Sequence, residues 1–441
     1  TSTHRWLPGS GALHVLPTDA VTGALDAARF FGKRSYVVEG KFFFSRISGD
    51  SAAILALQTD PVHYYQRPDA ADYLGVDPSA TSLAGHGGTL RLARYGNSKW
   101  SWSESARWLS PGLELNDVGY LQQADRILNE AGFGFFETEP RGIFRSYGFS
   151  LDREDNWDFG RRKTGGMTGL ETSASFRNLW AANAALRYLD DPTDTRLLRG
   201  GPAIKTSGFL MAELGVRSDP SRPVSLAVSG ERHFVREGDG SNTELSTEIN
   251  LRPVNAFTLS ANAFWQHNVD DLQYVATVRA LGTPRYLLGR LDQKTLGLTF
   301  RANYVITPDL TIQYYGSPFV SRGSYAEFKR ATSPRAPAYS DRFHRFTAGE
   351  IAYVPQVSAY QVSDGGTFYT FGNPDFDFRQ FRSNLVARWE FRPGTSLFLV
   401  WSQDRTDTEL TGRSLTNSLD ALRGAPAANV LLIKVSYWFG L

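Results

Sequence analysis

Seven histidines, His4, His14, His63, His86, His233, His267 and His344, are the first residues to weigh for chemistry, because imidazole binds metals and carries protons near neutral pH. No two of them are spaced to share one face of a single strand, so they read as scattered residues and not as a metal centre. Oxygen donors are better grouped. Asn373, Asp375 and Asp377 alternate within one segment, and Asp152, Glu154 and Asp155 form a second acidic group. Loop carboxylates so placed are weak candidates for Ca²⁺, and the same two groups are the candidates for hydrolytic acids. Glu137 and Glu139 share a strand face, but glycosidic cleavage needs two carboxylates about 5 to 9.5 Å apart across a substrate, which one strand does not supply. Gly85-His86-Gly87-Gly88 lacks the Lys and Ser/Thr of a phosphate loop, and no Gly-x-Ser-x-Gly turn occurs. The chain has no cysteine, which removes thiolate nucleophiles and zinc-thiolate sites. The expectation is no catalytic residue, no cofactor and no enzyme.

The elements that carry these residues are strands. Segment after segment alternates apolar and polar residues with period two, which sends one set to each face. Leu245, Thr247, Ile249 and Leu251 alternate with Glu244, Ser246, Glu248 and Asn250. Phe257, Leu259, Ala261, Ala263 and Trp265 alternate with Thr258, Ser260, Asn262, Phe264 and Gln266. The pattern returns around Arg301 and from Leu385 to Arg392. The one helix-like stretch is Tyr120 to Glu130.

Alternation fits either a water-soluble sandwich or a membrane barrel, and the connections choose between them. Tight Pro, Gly or Asn punctuation falls near Gly9, Gly49, Asn97, Pro140, Asn178, Pro220, Pro253, Pro308, Pro355 and Pro393, about 33 to 55 residues apart. Two strands of ~9 to 11 residues fill only part of each interval, so the opposite connections are long. Asp190 to Pro202, Phe319 to Phe343, Val362 to Arg379 and Asp404 to Ala428 read as such loops. Short turns on one side and long loops on the other is the asymmetry of an outer-membrane barrel. Trp180, Trp389, Trp401, Tyr437 and Trp438 sit near expected strand ends, as interfacial girdles require.

The fold class is therefore all-β: a large antiparallel transmembrane barrel of about 20 to 22 strands spanning residues 1–441, oily outside and polar within. Counting gives an odd total, so an upstream signal peptide and at least one strand are expected before Thr1. Leu245, Ile249, Phe257, Leu259, Leu385, Trp389, Leu431, Ile433, Tyr437 and Phe439 are expected to face lipid. Glu244, Glu248, Asn262, Arg301, Arg388, Glu390 and Lys434 are expected to face the lumen. The last strand runs from Asn429 to Leu441. Its Lys434, Ser436, Phe439 and Leu441 approximate the terminal signal read by barrel-assembly machinery, with Ser where Gly is usual and Leu where an aromatic is usual.

Composition excludes other classes. No stretch approaches the ~18 consecutive apolar residues of a membrane helix. A formal net charge of +2 with no long basic run gives nucleic acid no footprint. Arg outnumbers Lys 39 to 8, and many Arg fall beside acids on the wet faces, where they either hydrate a channel or brace it by cross-strand pairs.

Several segments carry a family resemblance: Phe42 to Gly49, Tyr64 to Ala70, Ser110 to Tyr120, Leu198 to Pro202, and Asn373 through Pro393-Gly394 to Gln403. In these the chain resembles a bacterial outer-membrane barrel family whose members typically carry an amino-terminal module similar to family-nine carbohydrate-binding domains. The resemblance implies a location in the bacterial outer membrane and supplies no catalytic motif. That module is not among these residues. The expected function is a pore, uptake or assembly component linked to carbohydrate, with outer-membrane lipid and the assembly machinery as partners. The alternatives are an outer-membrane hydrolase using the loop acids, and a secreted β-protein that binds glycans through Trp100, Trp102 and Trp108.

Overall fold

The computed structural model describes residues 1–5, 15–70, 73–96, 98–117, 119–408 and 414–439. One antiparallel sheet of 19 strands forms the body, against the 20 to 22 expected. Seventeen of its strands pair in simple succession. They are β1 (Asp19–Phe31), β2 (Tyr36–Ser48), β3 (Ser82–Arg94), β4 (Trp100–Leu109), β5 (Arg126–Glu137) and β6 (Phe144–Trp157). Next come β7 (Lys163–Phe176), β8 (Ala181–Leu189), β9 (Phe209–Arg217), β10 (Val224–Val235), β11 (Ser241–Val254) and β12 (Phe257–Ala280). The succession ends with β13 (Thr283–Thr307), β14 (Leu310–Ala331), β15 (Phe376–Arg392), β16 (Thr395–Asp407) and β17 (Ala427–Ser436). Ser2–His4 pairs with the outer edge of β1, and Phe343–Arg345 with the tip of β14. Among the described residues, no ladder joins β17 to β1 or to Ser2–His4.

The two ends of this wall differ as expected. At one end the connections 32–35, 95–99, 138–143, 177–180, 218–223, 255–256, 308–309 and 393–394 are two to six residues long. In the last of these, Pro393 presets its own φ and Gly394 takes φ +74°, a turn that a side chain at 394 would strain. At the other end lie 49–81, 110–125, 158–162, 190–208, 236–240, 281–282, 332–375 and 408–426.

Three turn sites move. Gly49 opens the long 49–81 connection, and Pro355 lies inside a small accessory sheet of Ile351–Val354, Ala359–Asp364 and Thr367–Gly372, so both sit at the loop end. Pro253 lies in the bulged end of β11, and the reversal itself is 255–256. Gly9 and Asn97 lie outside the described residues. Phe319 to Ala331 is strand and not loop, and the same holds for Phe376 to Arg379 and Asp404 to Asp407.

The expected helix from Tyr120 to Glu130 is instead loop running into β5. Helices form at α1 (Ser51–Thr59) and α2 (Leu415–Gly424). The first is rich in Ala and Leu and stops at Asp60, because Pro61 forces the residue before it out of helical backbone; Asp60 has ψ 170°. The second is capped by Ser414, whose hydroxyl accepts from the Asn417 amide.

Strand register divides the wall into two faces. Leu226, Ile249 and Ala261 lie in one row, and Leu251 and Leu259 in the next. Tyr314, Leu385, Trp401 and Leu431 form another row, as do Ala387, Leu399 and Ile433. Phe257 pairs with Tyr304, and Trp389 with Leu310. On the opposite face Glu231, Glu244 and Gln266 share a row with Thr295, and Glu248 with Asn262. Arg301 pairs with Tyr315, Arg388 with Phe398 beside Lys434, and Glu390 with Ser396. Those members of the two expected sets that fall within paired strands thus lie on opposite faces of the sheet. The apolar face is bare: Leu245 is 51% exposed and Leu431 79%. Tyr437 and Phe439 lie past the last paired residue, Ser436, and Leu441 lies outside the described residues.

Candidate functional site

The loop end closes over the polar face. Ile54 of α1 packs on Ala20, Ile47 and Leu83, side chains that share the polar face with Ser45. The Ser45 hydroxyl accepts from the Glu114 amide at 3.0 Å, which folds connection 110–125 over the same face. Gly85 makes this possible. A Cβ there would meet the Leu113 nitrogen at 2.1 Å, so the Gly-rich segment serves as a landing strip for backbone.

Connections 49–81, 190–208 and 332–375 leave the wall after β2, β8 and β14, six strands apart each time. They nevertheless touch. Asp69 of the first accepts from the Ala203 amide of the second at 3.0 Å and has Arg335 of the third at 3.9 Å. Its carbonyl also accepts from Arg162 of connection 158–162 at 3.2 Å. Loops so far apart along a succession of paired strands meet at one residue only where the sheet curls and they converge over its middle. The polar face is therefore the concave one.

Further contacts lock the loops. Arg342, fully buried, donates to the carbonyls of Ala336, Pro337 and Lys205 and to Glu237, joining connections 332–375, 190–208 and 236–240. The Lys205 amide donates to the Pro334 carbonyl at 2.8 Å. Leu198 and Ile204 cover Leu272 and Leu288 near the tips of β12 and β13, strands of 24 and 25 residues that outrun the ~9 to 11 a membrane requires. The accessory sheet packs on Ala280 and Leu287 of the same tips and on Phe328 of β14. There Asp364 accepts from Arg285, Arg330 and Tyr369. Burial pushes its carboxyl up, yet these partners hold it below the usual range.

Asp125 accepts from the Tyr73 hydroxyl at 2.9 Å and from the Phe159 amide at 3.0 Å, and Arg67 stands 4.0 Å away. Burial raises the Asp125 carboxyl above its ordinary range, and burial likewise raises the Tyr73 phenol.

Beneath the loops the concave face is polar and roomy. One cleft of about 370 Å³ is lined by Ser150, Glu171, Asn183, Arg187 and Glu213, and another of about 390 Å³ by Ser229, Ser246, Glu248 and Asn262. Arg187 pairs with Glu171 and stands 3.9 Å from Glu213, and Arg388 pairs with Glu390 at 2.5 Å. These pairs run along and across strands, so part of the Arg bias is wall bracing.

The sequence-nominated acids do not assemble into a site. Asp375 accepts from the Tyr325 amide, Asn373 from the Asp375 amide, and Asp377 from the Ser418 hydroxyl of α2. Asp155 is held by Arg153 and Lys163, and Glu137 by Lys99 and Arg141 at the turn end. Trp100, Trp102 and Trp108 share the apolar face of β4, and Trp108 donates to His86. Trp401 is mid-strand, whereas Trp100, Trp180 and Trp389 mark the turn end.

Asp69 and Arg342 were missed, because their partners are backbone groups and side chains from distant connections, which residue spacing does not reveal. The neighbourhood of Asp69 was not: Tyr64 to Ala70, Ser110 to Tyr120 and Leu198 to Pro202, segments of the resemblance, are parts of these converging loops.

Residues 51–440 match the family described as Domain of unknown function (DUF5916). No curated protein matches the chain. Among solved structures, the siderophore receptor PirA from Acinetobacter baumannii is similar with a TM-score of 0.39 at 9% identity, over 95% of this chain and 70% of that one. A variant of the ferric enterobactin receptor PfeA from Pseudomonas aeruginosa is similar with a TM-score of 0.41 at 8% identity, over 96% of this chain and 70% of that one. A second PfeA variant gives 0.42 at 8%, over 89% of this chain and 66% of that one.

Proposed function

This chain belongs to the DUF5916 family, and we propose that it is a bacterial outer-membrane transport barrel whose hydrated lumen is closed at the loop end by its own connections. The bare apolar face supports a lipid setting. Large apolar side chains stand exposed in rows across this face, a surface that a soluble monomer rarely presents, while the loops fold over the polar face. In this reading Leu245, Ile249, Phe257, Leu259, Leu385, Trp389, Leu431 and Ile433 meet lipid, and Glu244, Glu248, Asn262, Arg301, Arg388, Glu390 and Lys434 meet water. The observation that carries the closed lumen is the convergence of three connections on Asp69. The scattering of the acidic groups disfavours the hydrolase alternative. The row of Trp on the lipid-side face of β4 disfavours a secreted glycan binder.

Conductance in a planar bilayer tests the reading. The inserted protein is expected to be silent, and urea added on the loop side is expected to produce steady ohmic steps, because loop contacts yield before the strand ladders. Open steps without urea, or none at any concentration that leaves the barrel folded, would remove the proposal. The carbohydrate association rests on the resemblance alone; block of the urea-opened steps by oligosaccharides, and not by equimolar amino acids, is its expected sign.

A further inference from the structure

At the foot of the closed mouth, α1 ends at Asp60 and the chain turns through His63, while Glu114 arrives from connection 110–125. Asp60 Oδ1 lies 3.1 Å from His63 Nδ1, and Glu114 Oε2 lies 3.9 Å from the same nitrogen. His63 is fully buried at its side chain and Glu114 is 2% exposed. On its other side the ring reaches the Leu113 carbonyl from Nε2 at 3.1 Å, and a carbonyl only accepts. Nε2 therefore carries the proton, and Nδ1 turns its remaining position toward two carboxylates. Glu114 Oε1 is satisfied by the Asn116 amide at 2.6 Å, but Oε2 is buried with no hydrogen-bond partner. An imidazolium at His63 would satisfy Asp60 and still leave Oε2 without a donor.

We propose that Asp60, His63 and Glu114 bind a divalent first-row transition cation that clamps connection 49–81 to connection 110–125. A cation at this point answers the Nδ1 lone pair and the unpartnered Glu114 oxygen at once, and it takes Asp60 Oδ1, which the Val62 and His63 amides hold in place at 2.8 and 3.2 Å, as its third ligand. The three donor atoms lie within 4.8 Å of one another, and they form the one group of this kind among the described residues. Separations of 3.1 and 3.9 Å bracket the edge of about 3.4 Å expected for a tetrahedron with ligands at ~2.0 to 2.1 Å. One imidazole with two carboxylates suits Zn²⁺ or Mn²⁺, whereas Ca²⁺ requires six to eight oxygens. The cradle is pre-built, since the Glu114 amide is held by Ser45 and the Ala124 amide by the Val62 carbonyl. The neighbouring Tyr65 ring meets His63 edge-on at 5.7 Å and fixes its plane.

Zinc titration of the chelator-stripped full chain in detergent, read by calorimetry, tests the site. One equivalent is expected, with affinity reduced at least tenfold in Glu114→Gln and in His63→Gln. His344→Gln, which alters a histidine paired with Glu350 elsewhere in the mouth, is expected to leave uptake unchanged. X-ray absorption of the zinc-loaded unmodified chain is expected to show a single imidazole among oxygen ligands, a readout that survives if either variant fails to fold. Absence of a stoichiometric equivalent, uptake indifferent to both substitutions, or a coordination sphere without imidazole would each overturn the site. Metal uptake is read without conduction, so its failure would leave the closed barrel standing, and the reverse.

Discussion

Asp125 holds together two connections through Tyr73 and Phe159, yet burial disfavours its charge, so its carboxyl titrates above the ordinary range. A carboxyl raised in the folded state costs nothing below its unfolded pKa, and its full penalty is present once pH has risen through the raised value. The closed mouth is thus expected to firm as pH falls through that window. The measurement is the urea concentration that opens conductance, taken across the acidic range; it should climb as pH drops and lose much of that slope in Asp125→Asn, which keeps an acceptor oxygen and removes the charge. A profile unaltered by the substitution would show that Asp125 does not govern it. At this scale the sequence was least informative. His63 stands three residues from Asp60, a visible pairing, but Glu114 lies 51 positions further on in the numbering and is brought near only by the fold. Asp375 and Asp377 looked like partners and point to different elements, Tyr325 and Ser418.

Strands β11 and β12 give the sharpest test of the faces. Ile249 is paired with Ala261 and Leu226 on the bare side, while Glu248 next to it pairs with Asn262 on the concave side. Ile249→Arg is expected to cost about 2 to 4 kcal/mol if this row lies near the bilayer midplane, against about 0 to 1 kcal/mol for Phe257→Arg at the turn end. Urea titration of folding into lipid vesicles measures both, with Glu248→Gln as the tolerated control. Equal costs for Ile249→Arg and Glu248→Gln would reverse or abolish the assignment. Elements were largely legible because period-two alternation is a local property. Turn positions were legible at Pro308 and Pro393, where Pro meets a two-residue reversal. They failed at Gly49 and Pro355, since these residues mark a reversal without saying at which end of the wall it lies.

Asp69 is where the whole molecule shows itself, because the atoms it meets come from connections rooted six and twelve strands further along the succession. Asp69→Ala removes the acceptor for the Ala203 amide and the partner of Arg335, and the three connections then lose their shared anchor. Steady conductance without urea is the expected outcome in the planar bilayer, with the heat-modifiable gel shift of the folded wall retained. Silence of a folded, inserted Asp69→Ala chain would mean that Arg342 and the apolar contacts of Leu198 and Ile204 close the mouth without it.

The sequence by itself determined the fold class and the asymmetry of turns and loops, since both follow from alternation and chain punctuation within a few residues. Tertiary structure alone decided that the loops turn inward, that Asp69 and Arg342 join them, and that Asp60, His63 and Glu114 meet at one point. Those contacts depend on curvature, which sums the small twist of many strands and leaves no periodic trace in any one segment.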